Sequence, residues 1–375
     1  MKPIWRTALT LLTAAVLALP VHADITVVQV AAMSGTNGAD LGQGLRVGQR
    51  IVFDSVNEAG GIGGQMLRLV TLDDRYLPQE TVRLAEFALQ EDKPVAFMGF
   101  RGTANTLALV ESGLLEKNGI ALVGSLTGAE NLQRAKNIFH TRTSYAREIS
   151  RLADLVAAMG TQRMALLSVE DAFGRSGRLA ALEALSGKSV GLVADRSFAS
   201  KSPTLSADLQ ATARDIRASG AQAVVVIAVG EPAYEFIKLM READPGMQVF
   251  ALSVVSPAVI AERLGERAIG IGFSQVFPMS ASVPMVRDYL ALMKKHAPDV
   301  EPGYFSLEGY VNARLLVSAL RRAGPAITRQ TVLTALQRMR RLELGGFALN
   351  YREGQTNGSN YTELMVIGRD GKLHR

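Results

Sequence analysis

Two stretches, Val95-Ala96-Phe97-Met98-Gly99-Phe100-Arg101-Gly102-Thr103-Ala104-Asn105-Thr106 and Ile120-Ala121-Leu122-Val123-Gly124-Ser125-Leu126-Thr127-Gly128, decide the architecture. In each, a short apolar run ends at a glycine and gives way to a loop carrying hydroxyl residues. Between them, Thr103 to Lys117 reads as a helix. Runs that stay apolar instead of alternating suit strands covered on both faces. Strand, helix and strand in succession imply parallel pairing through right-handed crossovers.

The same alternation extends in both directions. Ile25 to Ala31 reads as a strand, then a Gly-rich loop and a helix from about Leu45 to Ala59. Met66 to Leu72 is a second strand and Thr81 to Gln90 a helix. Downstream the pattern restarts with helix Tyr145 to Met159, strand Met164 to Val169 and helix Gly177 to Leu185. Strands follow at Val190 to Ala194, Ala223 to Ala228, Val249 to Leu252 and Ile269 to Phe273, separated by helices. Three helices come after Pro278, and strands near Phe347 to Tyr351 and Tyr361 to Ile367 close the chain. The expectation is an α/β protein of two doubly wound parallel-sheet lobes. No Pro/Ser/Gly linker divides them, so the chain should cross between lobes more than once.

Residues Met1 to Ala23 have the form of a cleavable export signal: Lys2 and Arg6, then an uncharged run from Ala8 to Leu19, then Val21-His22-Ala23. The run is short for a membrane span, which needs roughly 20 apolar residues. The 375-residue chain is 48% hydrophobic and 20% charged, enough for a substantial core. Its length suits two lobes of ordinary size. The formal charge of +6 includes Lys2 and Arg6, so the mature excess is small. No dense Lys/Arg stripe with interleaved aromatics marks a nucleic-acid surface. Zero cysteines exclude disulfides and thiolate chemistry. His22, His140, His296 and His374 form no pair with metal-ligand spacing, so neither metal nor cofactor is expected.

Gly42-Gln43-Gly44-Leu45-Arg46-Val47-Gly48 sits where a dinucleotide fingerprint would fall, but its spacing is wrong for G-x-G-x-x-G. The loops at Gly99 to Thr106 and Val123 to Gly128 say more. Thr103 is placed to cap the helix that follows, and the free amides of that terminus favour an anion. Taken one by one, Thr103, Ser125 and Thr127 could be ordinary cap and turn residues. As two loops at neighbouring strand ends, they lie where open α/β sheets bind ligands.

With these motifs in place, the chain resembles the type I periplasmic solute-binding proteins, in the leucine/isoleucine/valine-binding branch that serves ABC transporters. The resemblance covers Asp24 to Arg375. It includes Ser34-Gly35, Val56-Asn57-Glu58-Ala59-Gly60-Gly61-Ile62, Asp73-Asp74, the two hydroxyl loops, Asp171-Ala172-Phe173-Gly174 and Glu308-Gly309-Tyr310. It implies two lobes joined by three hinge crossings, near Arg142 to Tyr145, Gly272 to Val276 and Ala348 to Tyr351. The implied lobes are 24–143 with 276–348, and 144–275 with 349–375. It also implies a ligand between them, held by the Thr103 and Thr127 hydroxyls, the Ser125 backbone and the Phe173 ring. Tyr76, Tyr145 and Tyr310 are candidates to line the cleft, or equally packed rings.

The implied protein is a monomeric, non-catalytic periplasmic carrier that docks on an inner-membrane permease. A sensor of the same fold is the alternative. A hydrolase is disfavoured because no G-x-S-x-G elbow is present. Three departures from the family pattern stand out. The family's disulfide is missing, with Gly102 where one cysteine would fall. The acid that receives a ligand ammonium is replaced near Val254, leaving Asp171 or Glu231 as substitutes. Arg101 is an added cation close to the anion site, facing either a second acidic group on the ligand or solvent. The expected ligand therefore carries a carboxylate without an obligatory α-ammonium.

Overall fold

The computed structural model describes residues 24–352 and 355–375. The expected signal, residues 1–23, lies outside them. Among the described residues, no helix is long and apolar enough to cross a membrane.

The first part of the chain runs β1 (Ile25–Ala31), α1 (Ala39–Glu58), β2 (Leu67–Asp73), α2 (Pro78–Glu91), β3 (Ala96–Met98) and α3 (Thr103–Glu111). The one-turn α4 (Leu114–Lys117), β4 (Leu122–Val123) and β5 (Ile138–Phe139) complete it. These strands form one parallel sheet, ordered β2-β1-β3-β4-β5. Then come α5 (Tyr145–Ala158), β6 (Arg163–Val169), α6 (Ala172–Leu185), β7 (Gly191–Phe198), α7 (Leu205–Ala218) and β8 (Ala223–Ile227). After α8 (Gly230–Ala243), β9 (Gln248–Ala251), α9 (Pro257–Leu264) and β10 (Gly272–Gln275), the chain returns to the first lobe. There it forms α10 (Pro284–His296), α11 (Tyr304–Arg322), α12 (Arg329–Arg338) and a small hairpin, β11 (Arg341–Glu343) with β12 (Ala348–Asn350). It ends in the second lobe with β13 (Glu363–Ile367) and β14 (Leu373–His374).

The second sheet is ordered β14-β13-β10-β9-β8-β6-β7. It is parallel from β7 to β10, and β13 and β14 add antiparallel strands at the edge. The antiparallel edge follows from the route: β13 enters from the hinge side and turns back through Asp370-Gly371 into β14. In the interior of this sheet β8 reads Ala-Val-Val-Val-Ile, all buried. Covering each such valine contributes roughly 1.5–3 kcal/mol, which fixes the strand between helices on both faces.

The α/β class and the three crossings are as expected, but the third crossing runs later than expected. Ala348–Asn350 belongs to the first-lobe hairpin, and Tyr351 packs edge-on to Phe139, so the passage lies beyond it. That passage runs beside the first crossing: the His140 N–H donates to the Thr356 carbonyl (2.7 Å) and the Gly358 N–H to the His140 carbonyl (2.9 Å).

The Gly-rich segment Gly42 to Gly48 is not a loop. It is the first half of α1, which starts at Ala39 instead of near Leu45. Helix propensity alone disfavours three glycines there, each by about 1 kcal/mol against alanine. Tertiary contact overrides it: a Cβ on Gly44 would stand 2.7 Å from the Phe305 Cβ, and one on Gly48 would overlap the Ser306 carbonyl oxygen. On the facing helix, a Cβ on Gly309 would overlap the Leu45 carbonyl oxygen. The glycines let α1 and α11 touch backbone to backbone.

Candidate functional site

The loops after β1, β3 and β4 open at the carboxyl end of the first sheet and meet those after β6 and β8 of the second. Beyond their strands, the β3 and β4 loops stay paired. The Leu126 N–H donates to the Phe100 carbonyl (2.8 Å) and Arg101 bridges Leu126 in parallel. This register sets Thr103 Oγ1 2.8 Å from Thr127 Oγ1, and Thr106 Oγ1 2.8 Å from Ser125 Oγ, all buried. Thr103 is the first residue of α3 and not its cap. Gly102, at φ +97°, holds the capping position, which leaves the Thr103 hydroxyl to Thr127.

The Asp73-Asp74 pair fixes the neighbouring loop. Asp73 Oδ1 accepts from the Met33 and Arg75 N–H groups, both at 2.9 Å. Buried Asp74 accepts from Thr81 Oγ1 (2.7 Å), Asn105 Nδ2 (3.1 Å) and the Tyr76 N–H (2.9 Å). Burial still pushes its carboxyl above the usual range. These bonds hold Arg75 and Tyr76 at positive φ, 49° and 61°, a conformation costly for non-glycine residues. Tyr76 is thereby turned over Gly102, where a Cβ would stand 2.5 Å from a Tyr76 ring carbon. The room a cysteine would need at 102 is taken by this ring. Gly102→Ala should cost about 1–3 kcal/mol by forcing a positive φ and displacing the ring, read by equilibrium denaturation. An unchanged midpoint would count against this placement.

Arg101 does not face solvent. It is 2% exposed, and its guanidinium lies 4.4 Å from the Tyr76 ring centroid. One nitrogen, Nη2, donates to the Asn37 carbonyl; Nε and Nη1 are buried without a partner.

The second lobe supplies the opposite wall. Tyr145 and Phe173, both buried, meet at a ring-centroid distance of 4.9 Å. Asp171 caps α6 by accepting from the Gly174 N–H (3.0 Å), and Tyr76 Oη donates to its other oxygen across the lobes at 3.4 Å. Burial raises the Asp171 carboxyl above its ordinary range. Tyr234 Oη donates to Asp40 (3.0 Å), the Glu231 N–H to the Thr36 carbonyl (2.9 Å) and the Tyr145 N–H to the Gly128 carbonyl (2.7 Å), so the lobes are in contact.

Arg101, Thr103, Ser125, Thr127, Tyr76, Tyr145 and Phe173 are thus gathered at one interlobe seam. Tyr310 is not among them. It lies in the first-lobe core, 5.7 Å edge-on to Tyr289, with its hydroxyl on Arg314. Glu231 stands at the lobe contact through its backbone, but both its side-chain oxygens pair with Arg263, at 2.6 and 2.7 Å. Val254 is buried and apolar.

Sequence reasoning also missed the charged cluster behind the seam. Arg142 is fully buried on the first crossing, 3.3 Å from Glu148 of α5 and 3.4 Å from Glu308 of α11, and it donates to Ser253 Oγ. Glu148 also accepts from Ser274 Oγ (2.6 Å) and the Ser253 N–H (3.0 Å). Burial pushes the Glu308 carboxyl up to about 7, with Arg142 pulling it down and Glu148 pushing it up. Its only signal in the sequence was Glu308-Gly309-Tyr310.

Two lobes, a seam of hydroxyls and aromatics between them, and hinge crossings behind define a class of ligand-enclosing proteins. The chain belongs to the periplasmic binding protein family, whose sequence profile matches residues 24–371. Members of this family bind solutes and are not enzymes. It is 25% identical over 337 residues to Leu/Ile/Val-binding protein homolog 3 of Brucella melitensis, covering 88% of each chain. Among solved structures, it resembles an extracellular ligand-binding receptor from Verminephrobacter eiseniae at 31% identity and TM-score 0.86, covering 94% of this chain and 100% of that one. It likewise resembles a substrate-binding periplasmic protein from Ralstonia solanacearum at 31% identity and TM-score 0.87, covering 93% and 99%.

Proposed function

We propose that this chain is the solute-binding component of an ABC importer, exported to the periplasm through residues 1–23. It encloses a small carboxylate-bearing solute between its lobes and delivers it to an inner-membrane permease, acting as a monomer. The observation that carries this reading is the buried pair Thr103–Thr127, 2.8 Å apart at the N-terminus of α3 and backed by the Tyr145–Phe173 wall. Hydroxyls and helix amides there can share a carboxylate, while the aromatic wall covers its apolar remainder. A ligand touching both lobes favours the closed arrangement by its differential contacts.

A thermal-shift panel of amino acids, aromatic acids, dicarboxylates and amides tests the reading, since binding to the native state raises the melting point. At least one carboxylic acid should do so. The Thr103→Val, Thr127→Val double variant should then lose roughly 10-fold or more in affinity, because the mutual hydrogen bond leaves the pair one hydroxyl proton for a carboxylate, a charge-assisted bond contributing about 1.5–3 kcal/mol. A panel in which only uncharged amides bind, or a double variant of unchanged affinity, would remove this site from the account.

A further inference from the structure

We infer that the solute is a carboxylic acid without an ammonium group, and that Arg101 holds its carboxylate beside the N-terminus of α3. This rests on the carboxylate reading above and deepens it. Arg101 makes one hydrogen bond, to the Asn37 carbonyl, and its buried Nε and Nη1 have no partner. Stacking on Tyr76 orients the guanidinium without supplying an acceptor to those nitrogens. Tyr76 itself lies on Gly102, the N-cap of α3, so side-chain cation and helix terminus stand together. A buried guanidinium with unmade hydrogen bonds is unfavourable, and an anion that accepts them relieves that cost.

The acids nearby are already committed. Asp74 accepts from Thr81, Asn105 and the Tyr76 N–H; it lies close enough to feel the charge of Arg101 but makes no hydrogen bond to it. Asp171 holds the Gly174 N–H and the Tyr76 hydroxyl, Asp40 holds Tyr234, and Glu231 holds Arg263. A ligand ammonium would therefore enter a seam that already contains an unpaired cation, and would find no free carboxylate. Like charges in a buried site repel strongly, and an unpaired ammonium also loses its hydration. An acid whose α-carbon bears an oxo group, or an aromatic ring carrying the carboxylate directly, avoids both costs.

Titration calorimetry on the mature chain separates the alternatives with matched probes. These are 4-methyl-2-oxopentanoate against leucine, and phenylpyruvate against phenylalanine, with benzoate as a ring-borne acid. In at least one pair the oxo acid should bind about 100-fold or more tightly than the amino acid, the discrimination expected when a site cannot pair a buried polar group. Arg101→Met should weaken the oxo acid at least tenfold while leaving the melting point of the free protein unchanged or higher, because an unpaired buried charge is removed. Arg101→Lys keeps the charge but loses the planar fork, and should fall between the two. Tighter binding of leucine or phenylalanine than of the matching oxo acid, or oxo-acid binding indifferent to Arg101→Met, overturns the inference and leaves the carrier reading standing. Failure of all five probes to bind overturns this inference, and failure of every acid on the thermal-shift panel removes the carboxylate reading together with it.

Discussion

Replacing Gly48 by alanine should destabilise the protein by about 3 kcal/mol or more, seen as a lower urea midpoint at an unchanged slope. On propensity alone the sign would be opposite, since alanine in a helix gains about 1 kcal/mol over glycine. The contact decides. A methyl at position 48 would overlap the Ser306 carbonyl oxygen and stand 2.6 Å from the Tyr310 nitrogen. Both belong to backbone of α11, which cannot rotate away as a side chain would. Relief requires separating the two helices, and that opens the core around Leu307, Tyr310 and Val311, all fully buried. Gly309→Ala should behave alike, its methyl meeting the Leu45 carbonyl. Neutral or stabilising outcomes at both positions would mean that the helices are not in backbone contact.

Glu308→Gln should stabilise the protein at pH 8 and leave it nearly unchanged at pH 4. In the folded chain burial lifts the Glu308 carboxyl to about 7 from an ordinary 4.5. Between those values the native state keeps a proton that the unfolded state has released. Its stability therefore falls as pH rises through this window, and the loss is complete above pH 7. A shift of that size corresponds to roughly 3 kcal/mol. Glutamine resembles the protonated acid and holds no proton to lose, while Arg142 keeps Glu148 as its counter-charge. The variant should also expose an opposite slope. Burial pulls His140 down to about 4, where Nε2–H donates to the Leu132 carbonyl at 2.9 Å. Stability from neutral His140 is present above about 6.5 and is lost as pH falls through about 4. Chemical denaturation of both proteins from pH 4 to 8 checks this. A difference between them that does not vary with pH would show that Glu308 titrates as an ordinary carboxylate.

The sheets and the order of elements were legible because each strand is an unbroken apolar run, and that signal is local. The seam was legible in part for the same reason: Thr103 and Thr127 end neighbouring strands, so their proximity follows from strand order. Three things were not legible. The α1 glycines read as a loop because their partner helix begins at residue 304, and no local pattern reports a backbone contact so distant. Arg101 could be placed beside the site but not oriented, since its burial depends on the Asn37 carbonyl and the Tyr76 ring from other loops. The Arg142–Glu148–Glu308 cluster joins a crossing and two helices, and charged residues on helices ordinarily face water, so nothing marked these as buried.

The contact of α1 with α11 also bears on the order in which the molecule can acquire its shape. A chain emerging from its N-terminus presents Gly48 long before Ser306 exists, so the first sheet waits with one face uncovered while the whole of β6 to β10 is made. The second lobe closes most of its parallel sheet from continuous sequence, whereas the first must join ends of high sequence separation, the slow kind of folding step. The first lobe of such a chain cannot finish its core until the residues beyond 304 have been made.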